Sequence, residues 1–493
     1  MLSLLPVDLI MASVSPSTFV GKPIKFGTDG WRGVMAADFT FDRVGKVAAL
    51  AAQVLEKTHG SNGSKTVIVG YDRRFLSSDF ARYAAESVAA AGYEVMLSEC
   101  FAPTPAFSWA AFDQKALGAI VITASHNPAV YNGLKIKSAF GGSVPPEVTK
   151  QVEAMLDQAV PMAETPGQIT SFDPWPSYCA ALRSMVDIKA IQKAVDDGRL
   201  TVFAEVMHGA AATGVGRLLE REINEIDSEA DPLFAGGAPE PLPKYIPNLF
   251  EAIKKNQTNG LTVGLIFDGD SDRIAGMDGN ANFLSSQVLI PILMEHLTQR
   301  RGMTGEVVKT ISGSNLFPAL AKLYELPLYE TPIGYKYIAD RMLEANVLIG
   351  GEESGGIGYG HHIPERDALL SALYLLEAVV QSGKDFGELN DSLREQTGFS
   401  SAYDRIDLPL ANMEVRAKLL EALQSNTPEE VAGKKVDNCL TIDGYKFNLE
   451  DNSWLLIRFS GTEPVLRLYS EASSIESVHE ILNWAKDWAN SVS

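Results

Sequence analysis

Cysteine is nearly absent from this chain. Its 493 residues hold three, Cys100, Cys179 and Cys439, far apart and without a CxxC pair. That excludes a disulfide framework and a cysteine-ligated zinc site, and it suits a reducing compartment. Positive charge is short as well: 42 Lys and Arg stand against 62 Asp and Glu, a formal net charge of −20. A non-specific binder of nucleic acid or of an anionic membrane surface carries the opposite balance. An anionic ligand would therefore need positive charge gathered locally. No apolar run reaches the roughly 18 residues of a membrane span. The opening MLSLLPVDLI is broken by Pro6 and Asp8 and lacks a basic leader, so it reads neither as a span nor as a signal peptide. The expectation is a cytoplasmic protein whose residues 1–21 form a loose leader, with Met1 or Met11 as the start.

What is present is ordinary globular material, 46% hydrophobic and 21% charged, with enough apolar residues for several cores. At roughly 100–200 residues per domain the length predicts three or four. Short β-branched runs, KTVIVGYD (65–72), GAIVIT (118–123), LTVFAEV (200–206), LTVGLIFD (261–268), EVVKTIS (306–312) and NVLIGG (346–351), alternate with helical stretches such as DFARYAAESVAAAGY (79–93). That alternation predicts parallel or mixed sheets covered by helices. The end of the chain differs. TIDGYKF, SWLLIRFS and VLRLYSE read as antiparallel strands, and SIESVHEILNWAKDW places Ile475, Val478, Leu482, Ala485 and Trp488 on one helical stripe. Boundaries fall near 171–177, 280–286 and 396–402, and no tandem repeat of short period is visible.

Four constellations carry chemistry. ITASHNP (122–128) follows a strand and sets Ser125 in a tight loop, which suits a nucleophile or a phosphorylated hydroxyl and equally an Asx or Ser/Thr turn; no GxSxG accompanies it. DGDSDR (268–273) brings Asp268, Asp270 and Asp272 together at alternate positions, where mutual repulsion favours a hard divalent cation. An EF-hand would need Gly and Glu where Arg273 and Gly279 stand, so that reading fails. GGEESGG (350–356) offers Glu352, Glu353 and Ser354 as acceptors for sugar hydroxyls; HHIPERD then supplies His362, Arg366 and Asp367 to orient the loop or touch a phosphate. RFSGTEP (458–464) sets Arg458, Ser460, Gly461 and Thr462 as a phosphate cradle or an ordinary strand-to-strand turn. FGTDGWRG (26–33), YDRR (71–74), NGLKIK (132–137) and TPIGYKY (331–337) support them. Together Arg32, Lys135, Arg273, Lys336 and Arg458 predict a locally positive pocket.

These four strings, in this order and with FGTDGWRG and NGLKIK, resemble the α-D-phosphohexomutase superfamily, nearest its bacterial phosphoglucomutase/phosphomannomutase group, from about residue 22 to the end. The resemblance implies an α/β fold: three similar mixed-sheet α/β domains and a C-terminal α+β domain of the TATA-box-binding-like class around a central cleft. The expected divisions are 22–172 with the phosphoserine loop, 173–284 with the metal loop, 285–396 with the sugar loop and 397–493 with the phosphate loop. It implies an enzyme that interconverts glucose 1-phosphate and glucose 6-phosphate, with mannose phosphates as a further pair, through a phosphoserine and a hexose 1,6-bisphosphate. By the same likeness Ser125, Lys135, Arg32 and His126 are catalytic. Asp268, Asp270 and Asp272 bind Mg²⁺ together with a phosphoserine oxygen. Arg273, Lys336, Glu352, Ser354, Arg366, Arg458, Ser460, Gly461 and Thr462 bind substrate, with glucose 1,6-bisphosphate as activator. The partners would be hexose phosphates, with no nucleic acid or membrane, and the chain a monomer or small homo-oligomer. Alternatives are a glucose-1,6-bisphosphate synthase, and a haloacid-dehalogenase-like phosphatase in which Asp268 is the nucleophile. Three positions depart from relatives. Ser271 stands where Gly is common and is expected to be harmless, and Gly355 and Gly356 stand where others have Phe or His. The paired Glu352 and Glu353 look like glucose-handling relatives rather than phosphoglucosamine mutases.

Overall fold

The computed structural model describes residues 21–27, 29–60, 63–160, 162–256, 258–460 and 464–492. The expected leader, apart from Gly21, lies outside the described residues, as do Gly461 and Thr462 of the phosphate loop. Four sheets, of seven, five, four and six strands, follow one another along the chain. The first three are mixed, as the alternating β-branched runs predict, and the fourth is antiparallel throughout.

The three mixed sheets share one topology. In the first, Thr66–Tyr71 is central, flanked by parallel Glu94–Ser98 and parallel Gly118–Ile122, and Tyr131–Ser138 returns antiparallel beside the last of these. In the second, Leu200–Glu205 lies between parallel Asn224–Ile226 and Leu261–Phe267, and Ile274–Met277 returns antiparallel. In the third, Glu306–Thr310 lies between parallel Leu328–Thr331 and Val347–Gly351, and Ile357–Gly358 returns antiparallel. The repeat is thus one of topology at the scale of whole domains, which a search for short tandem periods does not reveal.

Each motif loop occupies the same place. The Ser125 loop joins Gly118–Ile122 to Tyr131–Ser138, the Asp268 loop joins Leu261–Phe267 to Ile274–Met277, and the Glu352 loop joins Val347–Gly351 to Ile357–Gly358. In the fourth unit the Arg458 motif joins Trp454–Phe459 to Val465–Ala472. The strands before the first three loops are buried almost throughout, so their apolar runs anchor in the core and release the chain only at the polar turn.

One apolar core runs continuously through the helical layers of the first three units, around the fully buried Phe107, Tyr178, Phe317 and Leu373. The last unit has its own core, with Leu423, Phe447, Ile457 and Leu482 among its buried members. Its terminal helix Ile475–Val492 buries Val478, Ile481, Leu482, Ala485 and Ala489. The predicted stripe is corrected at its start. Ile475 is 41% exposed, and the buried stripe begins one turn later at Val478. The other face of this sheet meets the third unit through Ile311, Trp454, Leu456 and Tyr469. Glu471 closes that joint, accepting hydrogen bonds from the Ser314 and Ser401 hydroxyls, the Asn315 amide at 2.8 Å and the Trp454 indole at 2.8 Å.

One buried carboxyl makes the second unit sensitive to pH. Glu205 is fully buried; its Oε1 accepts the Met207 amide at 2.9 Å, while its Oε2 has no hydrogen-bond partner among the described residues. Burial, reinforced by the charge of Asp227, pushes it up to about 8. With the folded value above the unfolded one, the native state holds the extra proton. Glu205 therefore favours folding fully below the unfolded value, and this contribution is lost as pH rises through about 8. The full swing is about 5 kcal/mol. Glu205→Gln is expected to gain several degrees of melting temperature on the wild type between pH 5.5 and pH 8.5. A gap that stays constant with pH would show that Glu205 is not protonated in the folded chain.

Candidate active site

Ser125 lies just past the strand Gly118–Ile122, 1% exposed, with a backbone φ of 51° in the left-handed region. Its amide is held by the Thr123 hydroxyl at 2.9 Å. Its Oγ donates to Asp268 Oδ2 at 2.9 Å and lies 3.3 Å from His126 Nδ1. Arg32, on the strand Gly30–Val34, donates to Asn127 Oδ1 at 2.5 Å and so reaches the same loop. The serine and the aspartate triplet therefore meet across the joint between the first and second units.

A glycine makes that meeting possible. A Cβ at Gly269 would sit 2.5 Å from the carbonyl oxygen of Ser125, so only the bare backbone lets the two loops touch. The Thr104 amide and hydroxyl donate to the Asp270 carbonyl and to its Oδ2, at 2.9 and 2.5 Å, pinning the metal loop to the first unit. Asp268 Oδ1 turns inward to accept the Asp272 and Arg273 amides, both at 3.1 Å. Ser271 sits at φ 59°. Its backbone therefore costs about 1 kcal/mol relative to glycine, and the departure from the family pattern is not free.

Asp268, Asp270 and Asp272 each offer an oxygen within 4.8 Å of the others, and all three are fully buried. Burial and the charges of Asp272 and Asp270 push Asp268 well above the carboxylate range. For Asp270, burial is outweighed by Lys135, which holds it low. Asp270 Oδ1 and Asp272 Oδ1 have no hydrogen-bond partner among the described residues. Three crowded carboxylates with unsatisfied oxygens fit a hard divalent cation such as Mg²⁺.

Lys135 does not add the free positive charge expected of it. Its ammonium, 1% exposed, contacts Asp29 at 2.7 Å and Asp270 and Asp272 at 2.8 Å each. Burial would lower it, but these three carboxylates raise it above the ordinary lysine range. His126 is driven far the other way by burial and by Arg273 and Arg32, so it is a neutral imidazole at physiological pH. Arg32 too is lowered, by burial and then by the guanidinium of Arg273. Two guanidinium groups that repel beside Ser125 mark a place where an anion would be stabilised.

The sugar loop is laced to the metal loop. Arg273 and Gly356 form an antiparallel bridge, and the Ile274 amide donates to the Gly355 carbonyl at 3.0 Å. Gly355 has φ 101°, and a Cβ at Gly356 would meet Arg366 Cδ at 2.3 Å. The space beside Gly356 is taken by the stem of Arg366. The Arg366 guanidinium runs to Asp29 at 2.6 Å, Asp272 at 2.7 Å and Glu352 at 3.8 Å. Burial above all, eased by Arg366, leaves Glu352 pushed up to about 7. Ser354 lines a cleft of about 790 Å³ together with Arg273, Glu353, Tyr403 and Arg405, and this cleft connects the second, third and fourth units. His362 pairs with Asp367 at 3.2 Å and stacks on Trp109, which makes it a support for the loop.

In the fourth unit Arg458 pairs with Asp443 at 2.9 Å, so its charge is partly spent at home. Ser460 is buried, and its carbonyl accepts Arg416 Nε at 2.8 Å. Lys336 is placed apart, on a cavity of about 350 Å³ with Lys25, Lys150 and Asp29, its ammonium 4.7 Å from the Tyr337 ring. The residues that sequence reasoning missed are the buried partners. Asp29 lies inside the quoted FGTDGWRG yet joins Lys135, Lys137 and Arg366, and Lys137 pairs with Glu365 at 2.5 Å.

Comparison with known proteins agrees with this geometry. Models of phosphoglucomutase/phosphomannomutase match in chain order: alpha/beta/alpha domain I over residues 23–161, domain II over 176–281, domain III over 285–396 and the C-terminal domain over 410–483. The chain is 30% identical over 463 residues, 93% of its length and 96% of the relative's, to a phosphoglucomutase/phosphomannomutase of Thermococcus kodakarensis. It is 28% identical, over 94% of its length and 98% of the relative's, to a phosphoglucosamine/phosphogalactosamine mutase of Sulfurisphaera tokodaii. A solved structure from Thermus thermophilus, named provisionally as a phosphomannomutase, superposes with a TM-score of 0.82 at 32% identity, covering 96% of this chain and 100% of that one. No helix among the described residues is long and apolar enough to cross a membrane. With a motif at the corresponding loop of each of the first three units, a fourth motif between two strands of the last, and all four units matched in order, the chain belongs to the phosphoglucomutase/phosphomannomutase family of α-D-phosphohexomutases.

Proposed function

We propose that this chain is a phosphohexose mutase that interconverts glucose 1-phosphate and glucose 6-phosphate through a phosphoserine at Ser125 and a glucose 1,6-bisphosphate intermediate. The observation that carries the reading is the 2.9 Å contact of Ser125 Oγ with Asp268, inside a carboxylate triplet that still has unsatisfied oxygens. Asp268, Asp270 and Asp272 would hold Mg²⁺, which when bound draws charge from the transferring phosphoryl group. Arg32 and Arg273 hold the anion in place, and Lys135 supplies counter-charge to the aspartates.

In the forward half-reaction the Oγ–P bond of phosphoserine breaks, and a bond forms to the free C6 hydroxyl of glucose 1-phosphate. The proton of that hydroxyl ends on the departing Ser125 Oγ, which balances the exchange. His126 Nδ1 lies 3.3 Å from that Oγ, but burial and the neighbouring guanidinium groups drive its imidazole pKa far down, so it orients the loop rather than holding the proton. The bisphosphate then reverses in the cleft, and Ser125 Oγ recovers the phosphoryl group from C1, leaving glucose 6-phosphate. Glu352 and Ser354 orient sugar hydroxyls, while Arg458 and Ser460 meet the phosphate that is not transferred.

Relatives divide between neutral and amino sugars, so the test compares glucose 1-phosphate, mannose 1-phosphate and glucosamine 1-phosphate side by side, with bisphosphate release counted per turnover. Glucose 1-phosphate is expected to give the highest initial rate, with release well below one bisphosphate per turnover. A faster rate on the amino sugar would overturn the glucose assignment. Stoichiometric release would make the chain a bisphosphate synthase, and phosphopeptide mapping to Asp268 rather than Ser125 would make it a phosphatase.

A further inference from the structure

Arg74 follows the strand Thr66–Tyr71 in the YDRR string and is 4% exposed. Its guanidinium gathers the backbone of the serine loop. Nη2 donates to the carbonyl oxygens of Ser125 and, at 2.6 Å, of Asn127. Nη1 donates to those of Pro128 and Tyr131, each at 3.2 Å. Nε lies 3.3 Å from Asp72 Oδ2, and the ring of Phe234, from the second unit, covers the guanidinium at 4.8 Å.

Four carbonyl oxygens converging on one buried point would repel one another and go unsatisfied without a multiple donor between them. Only the planar fork of arginine spreads donors over four acceptors; a lysine offers three from one atom. The carbonyl of Ser125 is among the four, and Ser125 is the loop residue held at positive φ. Thr123 grips its amide while Arg74 grips its carbonyl, so both ends of the residue are fixed and the direction of Oγ follows.

We propose that Arg74 is a positioning residue for phosphoryl transfer: it holds Ser125 in its left-handed conformation and so aims Oγ at the aspartate triplet. The inference rests on Ser125 as the phosphoryl acceptor. Misplacing a reacting atom by about 1 Å can lower a rate about 100-fold.

The test uses the full-length protein and the variants Arg74→Lys and Arg74→Met. It measures kcat and KM for glucose 1-phosphate, the single-turnover rate of Ser125 phosphorylation from glucose 1,6-bisphosphate, and the melting temperature. Both variants are expected to lose about 100-fold in kcat and in the phosphorylation rate, with KM within about twofold of wild type. The loss in Arg74→Lys is expected even where its melting temperature matches wild type, which separates aim from stability. Wild-type turnover in Arg74→Lys, or a raised KM with kcat intact, would overturn the proposal. Should both variants fail to fold, Thr123→Val frees the other end of Ser125. A roughly tenfold fall in kcat at constant KM supports the proposal, and an unchanged kcat overturns it. If the wild type takes no phosphate on Ser125, the mutase reading falls and this inference with it. If it does and Arg74→Lys keeps pace, only the inference falls.

Discussion

Ser125→Ala is expected to lower mutase turnover by about 10⁴-fold or more, while the affinity for glucose 1-phosphate stays within about threefold. The asymmetry follows from the geometry. Ser125 Oγ is buried against Asp268 and is the group that would carry the phosphoryl unit, whereas the groups proposed to hold sugar and phosphate sit on other loops. Removing one oxygen leaves Arg32, Arg273, Glu352 and Ser354 where they are. Initial rates in a coupled assay and calorimetric titration of the variant with glucose 1-phosphate measure the two halves. Turnover near the wild-type rate would mean that phosphate never passes through this hydroxyl. If Asp268→Asn then abolished activity, the chemistry would lie with the aspartate.

The second large effect belongs to the carboxylate triplet. Asp270→Asn removes a charge that Lys135 contacts at 2.8 Å while leaving an oxygen for Thr104 at 2.5 Å. The fold at the loop is therefore kept while the charge that attracts a divalent cation falls. Charge stabilisation by such a cation is worth several kcal/mol in the transition state, so kcat should fall about 10³-fold. Wild-type activity should vanish in EDTA and return on titration with Mg²⁺, and the variant should need far more Mg²⁺ for any recovery. Undiminished wild-type activity after exhaustive chelation would remove the cation from the reaction.

Much of this site is legible in sequence because each loop follows an apolar strand. A run such as LTVGLIF reads as a buried strand, which favours a cation site over a solvated turn for the carboxylates straight after it, and the three aspartates are indeed buried. The loops can be read one at a time, but their mutual contacts cannot. Arg366 meets Asp29 from 337 positions away, and Lys135 meets Asp272 from 137. Those pairings decide which charges remain free, which is why the positive pocket expected from Lys135 and Arg458 is largely neutralised by Asp29, Asp270, Asp272 and Asp443. Ser271 escapes a reading by residue type for a related reason. The loop demands a left-handed backbone there, and a string of letters carries no φ. Arg74 looks like one more basic residue because its partners are backbone oxygens, which every residue has and no motif records.

Because each of the first three loops hangs between a parallel strand and its antiparallel neighbour, both of its ends are clamped by ladder hydrogen bonds only a few residues away. That clamp does not isolate the third loop, because Arg273 and Gly356 bridge it to the metal loop and the Ile274 amide donates to the Gly355 carbonyl. A change at 352–356 would therefore be transmitted to the aspartate loop, so that any shift in sugar preference made there would carry a cost in phosphoryl transfer, and the two properties would have to evolve together.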